Sequence, residues 1–352
     1  MLLSKKGHLV GLDIGSSVIK VAELKTSGKD ISLVKFGMTP IPPGLIEDGE
    51  IIEIEQLAGI IKNLFKTHKI KTKNVAIATG GSSVVVKTIT VPAVSESALV
   101  DSIRFEAEQY IPYDIDDMNI DFQIMDDSDV AADQMNVLLV AAKKDLVAEY
   151  IDLIDLAGLN PSIIDVDSFA FQNIYEVFCR KKTDTLDMII DVGVTKTTMN
   201  IVKGFNSLMM RDSSSGIGQV REMISSEQEC TLEEAERIMS KIDTASMSAA
   251  DLKEISEGFS QRWSVEIQNV VKTFQAKSVH GNVQNIYLGG GGSLMDGFTE
   301  KLSTDLGIPV SILNPFDVIK VNPKDFSDAF IQRAVPFASI ALGLALRRVD
   351  DK

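Results

Sequence analysis

The residues best suited to chemistry occur twice. Near its start the chain reads Val10-Gly11-Leu12-Asp13-Ile14-Gly15-Ser16-Ser17, and past its middle Ile189-Ile190-Asp191-Val192-Gly193-Val194-Thr195. Each copy puts an aspartate two residues before a glycine at the end of an apolar run, with hydroxyl residues beyond it. Backbone amides in a turn of small residues can approach a phosphate closely, because no side chain blocks them. A divalent cation that accompanies a polyphosphate takes oxygen ligands and keeps much of its water. The pattern therefore assigns Gly15, Ser16, Ser17, Gly193, Thr195 and Thr197 to phosphate contact, Asp13 and Asp191 to orienting a hydrated Mg2+, and Lys20 to a point charge beside the phosphates. A third turn, Gly289-Gly290-Gly291-Gly292-Ser293, offers bare backbone on which a flat base or ribose can rest. Each piece alone is an ordinary turn. Their repetition, one copy per half, is the informative feature. Neither the Gly-x-x-x-x-Gly-Lys-Ser/Thr phosphate loop nor the dinucleotide glycine fingerprint is present.

Stepping outward from these turns, each needs a strand on either side. Alternating apolar residues predict strand, tight turn and strand over 10–24 and again over 185–203, with further strands at 31–38, 74–79, 83–91, 119–125, 134–142, 161–167, 285–288 and 310–313. Apolar residues three and four apart predict helices over 54–67, 144–157 and 252–274. Ser95 caps a helix running to Tyr110, and Thr231-Leu232-Glu233-Glu234 is a capping-box pattern for one reaching about Ile242. Helices are also expected over 168–180, 299–306 and from Pro336 onward, the last rich in small residues that permit close backbone approach. The stripe over 252–274, with Trp263, reads as core. The acidic loop 126–133 reads as a solvated turn. The whole is an α/β chain of two halves, with a small α+β insert over 85–158.

At 352 residues the chain is long enough for two cores. A formal net charge of −15 argues against nucleic acid and against unassisted docking on anionic lipid. Cys179 and Cys230, with His8, His68 and His280, have no metal-ligand spacing, and two scattered cysteines fit a reducing compartment. The apolar stretch 337–346 is far shorter than the ~20 residues a bilayer span requires. The expectation is a cytosolic protein, brought to a membrane only by a partner.

The motif order resembles the actin, sugar-kinase and heat-shock chaperone superfamily. It comprises a first phosphate motif (10–20), a connecting segment (163–170), a second phosphate motif (189–198), an adenosine motif (286–297) and a second connecting helix (336–346). The resemblance implies ATP with Mg2+ as ligand. It implies Asp13 and Asp191 as metal-orienting acids, Lys20 as a phosphate contact, Asp167 near the attacking water, and Gly289, Gly290, Gly291 and Gly292 under the nucleoside. Within that superfamily, Lys5-Lys6-Gly7-His8-Leu9, Ile41-Pro42-Pro43-Gly44-Leu45-Ile46-Glu47-Asp48-Gly49-Glu50-Ile51 and Phe105-Glu106-Ala107-Glu108-Gln109-Tyr110-Ile111-Pro112 resemble the PilM family, actin-like proteins of type IV pilus assembly.

That likeness implies an actin-like ATPase fold of two duplicated RNase H-like domains. Subdomain 1A covers 1–84 and 159–184, an FtsA-like insert 1C covers 85–158, and domain 2 covers 185–352 with a helical part near 215–283. It further implies a platform at the inner membrane that binds the cytoplasmic N-terminal peptide of PilN between 1A and 1C, beside other pilus platform proteins. Slow hydrolysis is expected, because no catalytic His or Glu stands out beyond Asp167. Tyr110 to Tyr113 are candidates for lining that groove. Relatives often read Ala-Glu-x-x-Lys beside the nucleoside; here Ala235-Glu236 is followed by Met239, so Glu236 is kept and the lysine is not. A metabolic kinase of the superfamily is the alternative, with Asp167 as base. An FtsA-like filament former is the other; it would be expected to carry an amphipathic anchor, which 346–352 does not resemble.

Overall fold

The computed structural model describes residues 8–47, 49–125, 131, 133–179, 185–239, 247–276 and 281–349, without the side chains of Glu236 and Ala249. The expectations for Lys5 to Gly7, Asp48, most of the acidic loop, Arg180, the helix beyond Met239 and the side chain of Glu236 lie outside these residues.

The first half builds β1 (Val10–Ile14), β2 (Val18–Ser27), β3 (Asp30–Pro40), a short hairpin of β4 (Ile46–Glu47) and β5 (Glu50–Ile51), α1 (Ile54–Thr67) and β6 (Asn74–Thr79). After an excursion through β7 (Val84–Pro92), α2 (Glu96–Glu108), β8 (Met118–Ile124) and β9 (Gln134–Lys143), the chain returns as α3 (Lys144–Leu156), β10 (Asn160–Val166) and α4 (Asp167–Cys179). The second half repeats the scheme with β11 (Leu186–Val192), β12 (Thr197–Lys203) and β13 (Asn206–Ser213). It adds α5 (Gly218–Glu227), α6 (Leu232–Met239), α7 (Ala249–Gln275), β14 (Asn285–Gly289), α8 (Phe298–Leu306), β15 (Val310–Ile312), α9 (Asp328–Ala334) and α10 (Ser339–Ala345).

Two mixed five-stranded sheets result, ordered β10-β6-β1-β2-β3 and β13-β12-β11-β14-β15. In both, an antiparallel hairpin (β1–β2, β11–β12) joins a parallel neighbour (β6, β14). β1 and β11, at the centre of their sheets, are buried along almost their whole length, not on alternate residues only. One core fills the space between the sheets around α4 and α10, and includes Ala22, Ala76, Ile174, Ile189, Val202 and Leu342. α10 lies close enough that a Cβ on Gly343 would sit 1.7 Å from the Ala170 carbonyl oxygen, so its small residues are a steric requirement. A second core packs α1 and α3 on the outer face of the first sheet. A third packs α5, α6, α7 and α8 on the second, with Ile255, Phe259, Trp263 and Ile267 all buried along α7.

Both caps act as the sequence predicts. Ser95 Oγ accepts from the Ala98 amide at 3.3 Å, and Thr231 and Glu234 exchange bonds at 3.2 and 2.8 Å. Three differences stand out. Asp167 opens α4 and does not end the strand before it. β13, α5 and α9 had no clear periodic signal. The excursion has its own core on a β7-β9-β8 sheet with α2, but Tyr150, Leu153 and Ile154 of α3 pack with Leu57 and Ile61 of α1. The separately packed insert therefore ends near residue 143, short of 158, because the apolar face of α3 matches the first sheet's outer layer.

Candidate functional site

The β1–β2 and β11–β12 turns face one another over a cleft of 620 Å3. The hydroxyls of Ser16 and Thr195, one from each turn, lie 3.5 Å apart. Asp13, Gly15, Ser16, Ser17, Lys20, Asp167, Asp191, Gly193, Thr195, Gly290 and Gly291 line this cleft. The structure therefore brings into one space residues separated by up to about 280 positions in sequence. Gly290, at φ +79°, donates its amide to the Pro336 carbonyl at 2.7 Å, which ties the third turn to the segment entering α10.

Other predicted residues stand elsewhere. Thr197 is buried and its hydroxyl donates to the Ser215 carbonyl at 2.6 Å, so its hydrogen is committed to backbone. Gly289 packs on Phe171 and Gly292 on Val192, behind the surface that Gly290 and Gly291 present. Glu236 belongs to α6, which supplies no residue to the cleft lining among those described.

Register decides the electrostatics. Asp13 pairs across the hairpin with Lys20, and the Lys20 ammonium meets the Asp13 carboxylate at 3.0 Å with both side chains largely buried. Burial raises the Asp13 pKa and Lys20 opposes that. At the matching register position Asp191 faces Thr198, whose buried hydroxyl has no partner among the described residues. Burial pushes Asp191 up to about 7, with Lys20 pulling down and Asp13 and Asp167 pushing up.

Several residues that reach the cleft were not picked out from the sequence. Lys196, in the second turn, forms an ion pair with Asp167 of α4. Burial alone would lower the Lys196 ammonium; Asp167 and Asp212 outweigh it and hold the pKa above its ordinary value. The Gly81 amide donates to Asp212 Oδ2 at 2.7 Å, linking the loop after β6 to β13. Tyr150 of α3 is buried beside Thr79, and its phenol is pushed up to about 12, chiefly by burial. The Gly80-Gly81-Ser82-Ser83 run after a strand was a turn signal that could have flagged this wall. Asp212 carried none, because it sits on a strand recognisable only from its pairing with β12.

The donor set suits a polyphosphate with a divalent cation. Five carboxylates (Asp13, Glu50, Asp167, Asp191 and Asp212) and two lysines (Lys20 and Lys196) line the cleft, so a bare anion would be repelled. A half-buried acid with no ion-pair partner of its own among the described residues, as Asp191 is, is suited to a hydrated metal. Among the described residues no three acidic, His or Cys side chains form a metal-holding group. Mg2+ commonly takes one or two carboxylates together with phosphate oxygens and water, and that is all this site would need to supply.

Duplicated sheets with opposed phosphate-type turns over a shared cleft are the arrangement of the actin-like ATPase fold. EutJ from Carboxydothermus hydrogenoformans matches with a TM-score of 0.57 at 13% identity over 97% of this chain and 89% of its own. MreB 5 of Spiroplasma citri, solved bound to AMPPNP, matches with 0.50 at 12% over 90% and 93%. The likeness becomes much closer for a chain of a PilM–PilN type IV pilus biogenesis complex, with a TM-score of 0.87 and 27% identity over 98% of this chain and 99% of that one. The family model described as type IV pilus assembly protein PilM matches residues 11–349, and the chain belongs to that family. Among the described residues no helix is long and apolar enough to cross a membrane.

Proposed function

We propose that this chain binds ATP with Mg2+ in the cleft between its halves, hydrolyses it slowly, and couples nucleotide state to its grip on the cytoplasmic N-terminal peptide of PilN within the type IV pilus platform at the inner membrane. The observation that carries the nucleotide part is the meeting of two equivalent turns from separate halves around Asp13 and Asp191. Gly15, Ser16, Ser17, Gly193 and Thr195 would contact phosphate, Asp13 and Asp191 would hold the cation through water, and Gly290 and Gly291 would lie under the nucleoside. The metal would supply neutralisation of the phosphates among the acids. Binding that favours one arrangement of the halves shifts its population, and the work lies in differential affinity.

The partner part is supported by the solved PilM–PilN complex and by a groove of 1220 Å3 between the insert (Gln123, Met125, Leu138) and α4 (Phe169, Gln172, Asn173). Asn173, on the α4 wall, has a side-chain nitrogen with no hydrogen-bond partner among the described residues. None of Tyr110 to Tyr113 lines this groove. Ile111 is buried in the insert's own core, and Tyr113 donates to the Ser82 carbonyl at 2.8 Å.

The test is calorimetry with Mg·ATP against Asp13→Ala and Asp191→Ala, and PilN-peptide titration of apo, ADP and ATP forms. We expect binding that both variants lose and peptide affinity that differs between forms. No heat from the unaltered protein would end the nucleotide reading, and equal peptide affinities would end the coupling.

A further inference from the structure

We propose that Lys196 is a terminal-phosphate sensor, which leaves Asp167 to engage the last phosphate of a bound triphosphate and thereby discriminates ATP from ADP. The inference rests on the nucleotide reading above. Lys20 and Lys196 are the cleft's two lysines, and they are held differently. Lys20 stands against Asp13 with its side chain only 14% exposed, within reach of the Asp191 charge as well. Lys196 extends from the second turn, remains 30% exposed, and pairs across the cleft with Asp167, the first residue of α4. Its ammonium packs against the loop after β6: a Cβ on Gly80 would lie 2.5 Å from Nζ and 2.8 Å from Asp167 Oδ2. It also feels the carboxylate of Asp212, which accepts from Gly81 in that same loop.

A phosphate chain entering an acid-rich cleft must draw cations away from the acids that hold them. Lys20 is the less exposed of the pair, enclosed between Asp13 and the charge of Asp191, and has less room to move. Lys196 is the more accessible, has three donors on a flexible stem, and stands at the turn where the halves meet. Transfer of its ammonium to phosphate also exposes a carboxylate oxygen of Asp167 to solvent. A single exchange of partners would thus both register the last phosphate and release an acid able to orient water.

The experiment measures Mg·ATP and Mg·ADP affinities by calorimetry for the unaltered chain, Lys196→Met, Lys196→Arg and Asp167→Asn, with thermal melting as a check of folding. Lys196→Met should weaken Mg·ATP by about tenfold or more, the loss expected for one charge-assisted hydrogen bond, and leave Mg·ADP within about twofold. Lys196→Arg should recover most of the ATP affinity. Asp167→Asn, which removes the competitor for Lys196, should tighten Mg·ATP about threefold, and that gain should vanish when it is combined with Lys196→Met, which relief of repulsion alone would not do. Equal weakening of both nucleotides by Lys196→Met, or no change in either, overturns the proposal while leaving the nucleotide reading intact. Failure of the unaltered chain to bind either nucleotide overturns both.

Discussion

The two hairpins at the centre of the cleft are alike in backbone and unlike in charge. In each, an aspartate near the end of a buried strand precedes a tight turn. The residue facing Asp13 across the first hairpin is Lys20, and the residue facing Asp191 across the second is Thr198. One acid therefore carries its own cation at 3.0 Å, whereas the other has a buried hydroxyl opposite it and shares in Lys20 only at a distance. The two scaffolds are equivalent, and the residue at one register position leaves one side carrying its own cation and the other open to a proton or a metal. Asymmetry of this kind would let the two acids contribute unequally to a cation held between them.

The largest test of that contrast is Lys20→Met. It leaves Asp13 and Asp191 in the same cleft without their lysine, and removal of one partner from a buried pair typically costs about 3 kcal/mol or more. Urea unfolding at pH 8 should show a loss of that size, and partial recovery on adding Mg2+. A loss below about 1 kcal/mol would mean that Lys20 does not neutralise this pair.

Smaller, but more specific, is the pH dependence set by Asp191. Its folded pKa of about 7 lies above the ordinary carboxylate value of 3.8. Between those values the folded state binds the extra proton, so the stability of the nucleotide-free protein should fall as pH rises from about 4 to 7 and level off above. Mg·ATP, which needs the ionised acid, should bind more tightly as pH rises to 7, by up to about tenfold per unit. Asp191→Asn should raise the melting temperature of the nucleotide-free protein at pH 8 and flatten its profile. An unchanged profile would place the titration elsewhere. The smallest effect belongs to Thr198→Val, which replaces an unpartnered hydroxyl with a methyl of like shape; we expect a change between zero and about 1 kcal/mol of stabilisation. A clear destabilisation would mean that this hydroxyl has a role in the second hairpin that Lys20 fills in the first.

Much of this molecule is written locally. α1 and β6 begin and end where periodicity places them, over Ile54–Thr67 and Asn74–Thr79, because apolar spacing and turn residues act within a few positions. Both caps and both phosphate-type turns are local for the same reason. β13 was not legible, since its register depends on pairing with β12, and neither were α5 and α9. α3 reads correctly as a helix, but which layer receives its apolar face is a question of shape matching across residues about 90 positions apart, from Leu57 to Tyr150.

The sequence by itself determined that there are two copies of an acidic hairpin, a glycine-rich third turn and a small-residue helix able to lie against backbone. Those are properties of residue type and short spacing. Only the tertiary structure decided that the turns share one cleft, that Lys196 reaches Asp167, that Asp212 holds Gly81, and that Thr197 and Gly292 face away. Such outcomes depend on how two sheets close on α4 and α10. Charges that lie far apart along the chain come within ion-pair distance only after the apolar cores have fixed that geometry.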